Sequence, residues 1–137
     1  MKIIALTLLL ASIYSATALA ATPVGLWRGK QYDAVTKNYR NEGDWCFLSD
    51  GRVYPVAVGG WLGVPNGADF FFGVWRRSGD TVFMSGERLA EPEVWWRVAN
   101  IVTRTTMTGS GATWVSGSLA SNVNVTVIWT YKGPCSP

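Results

Sequence analysis

The chain has 137 residues, eight tryptophans, no histidine and a formal net charge of +3. Without histidine there is no Ser-His-Asp or Cys-His couple for nucleophilic catalysis and no ordinary zinc ligand set. The basic residues are scattered, Arg76-Arg77 being the one adjacent pair, so there is no clustered basic face of the kind nucleic-acid binders carry.

Residues 1–20 read as a secretory signal peptide. Lys2 supplies the positive start, residues 3–13 the apolar stretch, and Ala18-Leu19-Ala20 the small-x-small cleavage site, so that the mature chain is predicted to begin at Ala21. Ser12, Tyr14, Ser15 and Thr17 interrupt the apolar stretch, which falls short of the ~20 residues a spanning helix needs. The expectation is a product that does not span a membrane and resides in the periplasm or outside the cell. Residues 21–137 then form a single domain. Cys46 and Cys135 are its only cysteines, and an even count in an exported chain predicts a disulfide. Closing so long a loop contributes roughly 4–5 kcal/mol on the chain-entropy argument. Two free thiols, or a metal held by two cysteines alone, are the competing readings.

In chain order, the first predicted strand is 25–32 (GLWRGKQY). Residues 33–43 are polar without helical periodicity and read as a loop. The second strand is 45–48, and Ser49-Asp50-Gly51 turns it into a third at 52–58. Pro55 cannot donate to a ladder, which assigns that strand an edge position or a bulge. Residues 59–69 form a glycine-rich loop carrying Trp61. Strands four and five are a hairpin over 70–87 turning at Ser78-Gly79-Asp80, where Gly accepts φ > 0 and Asp bonds its own backbone. A long apolar run at 94–105 is the sixth strand. Thr108-Gly-Ser-Gly-Ala reads as a turn into a seventh at 113–119, and Ala120-Ser121-Asn122 as a turn into the last, 123–132. That last strand alternates Val123, Val125, Val127, Trp129 and Tyr131 against Asn124, Thr126 and Thr130, the period of a half-buried strand. Asn124-Val125-Thr126 matches a glycosylation sequon, but its place within a strand argues against use.

Eight strands joined mostly by short turns favour an antiparallel meander, and closing it removes both edges. The predicted fold is all-β: a single eight-stranded up-and-down barrel with one disulfide. A two-sheet β-sandwich is the alternative.

Three stretches carry a resemblance. Gly25-Leu26-Trp27 is similar to the G-x-W opening of lipocalin-type barrels. Residues 45–53, with their Ser-Asp-Gly turn, resemble the second hairpin of small exported barrels. Thr113-Trp114-Val115-Ser116-Gly117 resembles a strand of avidins. The resemblance implies a calycin-type shape. It does not extend to the Asn-x-x-Gly-Ser stretch through which avidins contact biotin, because Arg28-Gly29-Lys30-Gln31-Tyr32 stands there.

All eight tryptophans lie in the mature domain. Each buries a large area and can simply fill a small barrel, but ligand pockets are also apolar and aromatic with a few placed polar groups. Alternation assigns to the inside Trp96 with Val94 and Val98, Trp114 with Ser116 and Ser118, and Trp129 with Val127 and Tyr131. Trp27 and Trp75 join them in the assumed register. A one-residue slip reverses each assignment. The candidate ligand-binding residues are therefore Trp27, Trp75, Trp96, Trp114, Trp129 and Tyr131. Trp61, with Leu62 and Val64, reads as a rim loop that contacts a partner or folds back as a plug. The fourth and sixth strands are apolar on both faces, which calls for cover by the 33–43 loop or by another molecule, a second copy included.

Chemistry has little to work with. Glu91 and Glu93 flank Pro92 and could pair as in a glycosidase, although acids in a connector are ordinarily solvated. The glycine-rich loop lacks the following helix that a phosphate cradle uses. The expectation is an exported, non-enzymatic binding protein without metal or cofactor, taking a small apolar, aromatic or sugar ligand. The alternative is a periplasmic or extracellular interaction protein, an inhibitor or immunity factor, docking through rim loops.

Overall fold

The computed structural model describes residues 22–57, 60–61, 71–88, 93–115 and 123–135. Nine strands lie among them: β1 (Gly25–Asp33), β2 (Tyr39–Phe47), β3 (Arg52–Ala57), β4 (Gly60–Trp61), β5 (Phe71–Ser78), β6 (Thr81–Arg88), β7 (Glu93–Thr103), β8 (Thr106–Val115) and β9 (Val123–Gly133). The described residues contain no helix, and so none long and apolar enough to cross a membrane. Each long strand pairs antiparallel with its neighbour in sequence, and β9 returns to β1 from Leu26↔Gly133 to Asp33↔Val125. The two-residue β4 hangs on β3 through Val56↔Trp61 and Ala57↔Gly60, outside the ring. The result is a closed, eight-stranded, up-and-down barrel.

Its two ends differ. At one, short turns join β2 to β3, β5 to β6 and β7 to β8. The Ser78↔Thr81 pair leaves Gly79 and Asp80 as a two-residue turn, with Gly79 at φ 59°, as hairpin twist requires. Cys46 of β2 and Cys135, just past β9, are joined in a disulfide with Cα atoms 5.8 Å apart. It bridges the two strands that flank β1 and staples this end. The β1–β2 loop lies at the other end. β3, β6 and β8 end there too; residues 1–21, with the predicted leader, 58–59, 62–70, 89–92, 116–122 and 136–137 are outside the described residues.

The stapled half is packed solid. Trp27, Phe47, Val53, Val82, Ala99, Met107, Val127 and Trp129 are all buried within it. The Trp27 indole N–H donates to the Pro23 carbonyl at 2.7 Å, and the Trp75 N–H to the Leu48 carbonyl at 2.9 Å. Trp27 meets Tyr131 edge-on at 5.3 Å between ring centres. Large rings lie opposite absent side chains. A Cβ on Gly29 would fall 2.7 Å from Trp129 Cζ3, and one on Gly73 the same distance from Trp95 Cζ2. A narrow barrel fits indoles across its width by this alternation of large and small.

Predicted boundaries are corrected at three places, one being β4 (Gly60–Trp61), which lies within the stretch 59–69 expected as a loop. The segment 33–43 is not a loop: β2 begins at Tyr39, and the connection is 34–38, held where the Asp33 carboxylate accepts the Val35 and Thr36 amides at 2.9 and 2.8 Å. The polar run hid a strand whose outward residues are charged and paired across to β1, Asp44 with Arg28 and Glu42 with Lys30. Its inward positions here are Asn41 and Gly43, so no apolar alternation marks it. Likewise 108–112 is not a turn; β8 runs straight through it from Thr106. Gly109 and Gly111 are strand glycines at a close backbone approach, where a Cβ would collide with the carbonyls of Val98 and Trp96. Pro55 does lie within β3, paired with Trp45. The β3–β5 ladder has already ended at Val53↔Gly73, so that side asks no donor of it.

Candidate functional site

Among the described residues, the half of the barrel facing the β1–β2 loop is hollow. A cavity of about 490 Å³ opens there, walled by Gln31 of β1, residues 40–45 of β2, Pro55 and Val56 of β3, Glu93, Trp95 and Arg97 of β7, Thr113 of β8, and Val123 and Val125 of β9. The size suits a small organic molecule. Its floor is aromatic: Trp45, half-buried, meets Trp95 edge-on at 4.9 Å and Trp129 at 6.0 Å, so these rings separate the cup from the packed half. Its lip is polar, with Arg40, Asn41 and Glu42 exposed.

Arg97 stands in the wall, 7 % exposed. Its Nη1 donates to the carbonyls of Trp96 and Ala112 at 2.8 and 2.7 Å, and its Nη2 to Gln31 Oε1 and Thr113 Oγ1, each at 3.1 Å. All four acceptors are uncharged. Burial pushes the guanidinium pKa down to about 10, against the opposing pull of the Glu93 carboxylate nearer the mouth. Arg97 is therefore a buried cation at neutral pH, and it holds Gln31 and Thr113 in one orientation.

Trp27, Trp75, Trp129 and Tyr131 all point inward, but into the packed half rather than the cup. The inward assignment of Trp96 and Trp114 is corrected: they are 48 % and 49 % exposed on the outer wall, with Val94 beside them at 48 %. The inward row of β7 is Glu93, Trp95, Arg97 and Ala99; that of β8 is Met107, Gly109, Gly111 and Thr113. Tryptophans at 95 and 96 make both registers of β7 apolar, and the arginine favoured the wrong one, since charges are ordinarily outside. The assignment missed Trp45, Trp95, Arg97, Gln31 and Thr113. The signal that could have found Trp95 and Arg97 is cross-strand: alternating Val82 and Met84, once paired with Ala99 and Arg97, turn that set inward. Of the rim residues, Trp61 pairs through its backbone in β4, and Leu62 and Val64 lie outside the described residues, as does Glu91; Glu93 faces the cup.

The outer wall of β5 to β8 carries a second feature. Val74, Val94, Trp96 and Trp114 are each about half exposed or more, and a shallow groove runs between Val74, Arg76, Phe83, Ser85, Trp96 and Val98. Residues 39–43, expected to cover such a face, are instead a wall strand between β1 and β3.

No protein-family model matches the chain, and neither does any curated protein. Among solved structures, the chain is similar to that of EF1p2_mFAP2b bound to DFHBI. The TM-score is 0.54 at 11 % sequence identity, over 80 % of this chain and 93 % of that one. At this identity the likeness shows the fold alone, and it agrees with the calycin-type shape.

Proposed function

We propose that this chain is an exported, non-enzymatic binding protein that holds a small, largely apolar or aromatic ligand in the cup above Trp45 and Trp95. The carrying observation is the two-part barrel: one half packed and stapled, the other hollow, with an aromatic floor and a few fixed polar groups. That is the composition of a ligand pocket rather than of a packing defect. The neighbour's structure, with its small molecule, supports the same use of the fold, although fold alone does not assign function. The signal-like leader and the Cys46–Cys135 disulfide support export, because such bonds persist in oxidising compartments. The mature product should start at Ala21, which mass spectrometry of the exported protein checks. The test of binding is a titration of intrinsic tryptophan fluorescence with lipids, indole-like aromatics and saccharides. A saturable change is expected for one class, and Trp45→Ala should weaken it by about tenfold or more, as loss of a central aromatic contact does. A flat response across the panel overturns the reading.

The outer wall favours a second role. Exposed Val74, Val94, Trp96 and Trp114 on this wall support a contact surface for a protein or for a second copy. Self-association, measured by sedimentation and abolished in a Trp96→Ser/Trp114→Ser variant, is the outcome that would establish it.

A further inference from the structure

Arg97 does more than fill a wall position. With the cup as a binding site for its premise, the chemistry around this residue narrows the class of ligand. Four of its N–H groups end on uncharged oxygens, and a cation buried among neutral acceptors is costly. Glu93 acts on it from the mouth but does not offset burial. The other acids of this wall, Asp44 and Glu42, are already engaged with Arg28 and Lys30.

The bonds also set the polarity of the partners. Gln31 spends its carbonyl oxygen on Arg97, so its amide N–H groups are left to donate elsewhere. Thr113 Oγ1 accepts from Arg97, so its own hydrogen is likewise left to donate. Both residues line the cavity. The inner polar face of the cup is thus a cation flanked by donors, beside an aromatic floor. We propose that the cup takes an amphipathic organic acid, its carboxylate received by the Arg97–Gln31–Thr113 cluster and its apolar body lying on Trp45 and Trp95. Hydrogen bonds to an ionised group in a low-dielectric site are about twice as strong as those between neutral groups, and this one would also neutralise the buried charge.

The experiment is calorimetric titration of the full chain at pH 7.5 with matched pairs, decanoate against decanamide and 2-naphthoate against 2-naphthamide. The acid of each pair should bind about ten- to a hundredfold more tightly than its amide, the scale of one charge-assisted contact. Arg97→Gln should erase that preference while leaving amide binding in place. Should Arg97→Gln not fold, Gln31→Met and Thr113→Val, single losses of a donor, should each narrow the preference. Equal binding of acid and amide by the unaltered protein overturns the inference but leaves the cup standing. Binding of neither member removes the cup itself. An acid preference untouched in all three variants places the anion elsewhere and overturns the assignment.

Discussion

Gly109 shows how closely β7 and β8 approach. A methyl group there would collide with the Val98 carbonyl and come within 2.7 Å of Ala99 Cα. Backbone, not a flexible side chain, is what it meets, so relief requires moving a strand. Gly109→Ala is predicted to cost ~1–3 kcal/mol, the range for overpacking, read as a lower urea midpoint; an unchanged midpoint would refute the close approach. A second residue-scale prediction concerns acid. Arg28 donates to both carboxylate oxygens of Asp44, at 2.7 and 2.8 Å, and this bonding, foremost, holds the Asp44 pKa below its ordinary 3.8. A depressed folded-state pKa adds stability above the unfolded value and loses it as pH falls through the folded one. Asp44→Asn should therefore be less stable than the parent at pH 7, and the difference should shrink as pH drops below 3.8. A difference independent of pH would mean that the ion pair contributes nothing.

Among the elements, β9 was legible from its letters and β7 was not, for one physical reason. In β9 the polar residues Asn124, Thr126 and Thr130 occupy one face, so a one-residue slip would bury them. In β7, Trp95 and Trp96 offer each face an indole, and the register is decided across the barrel, by β6 and by the empty position at Gly73 that receives Trp95. The cup went unseen for the same reason. Its cation sits where a charge is least expected, and β2, which brings Trp45 to it, carries a polar inner row near the mouth. The disulfide, the hairpin turn at Gly79 and the meander order depended on local chemistry or counting and were readable. Two predictions belong at this scale. Trp95→Ala should cost ~3–5 kcal/mol as a buried ring is lost, whereas Trp96→Ser should stay within about 0.5 kcal/mol; reversed magnitudes in urea melts would reverse the register. Reducing Cys46–Cys135, which spans 89 residues, should remove roughly 4–5 kcal/mol on loop-entropy grounds, measured with and without reductant. No loss would mean that the staple is idle.

Closure makes the molecule a ring, and a ring is as strong as its weakest seam. β7 and β8 pair along their whole length, from Glu93↔Val115 to Thr103↔Thr106, and β6 and β7 from Thr81↔Asn100 to Arg88↔Glu93. Between β3 and β5, by contrast, the described ladder consists of Arg52↔Val74 and Val53↔Gly73, both near the stapled end. Towards the cup, β3 turns from β5 to β4, and Pro55 has no N–H to offer either. Opening is therefore predicted to begin at this seam, on the cup side, where Pro55 and Val56 line the cavity wall. Few buried backbone bonds mean a low free energy of local opening. Native-state hydrogen exchange should find the amides of β3 and of the first half of β5 exchanging by local fluctuation, insensitive to low urea. Those of β7 and β8 should exchange only through global unfolding, with protection that falls as urea rises. Because the Arg97 side chain is anchored to Ala112 and Thr113 of β8, on the well-paired side, the proposed acid-binding cluster should stay rigid while the seam opposite it breathes. Uniform protection around the ring would show that β3 and β5 are held by more than these ladders supply.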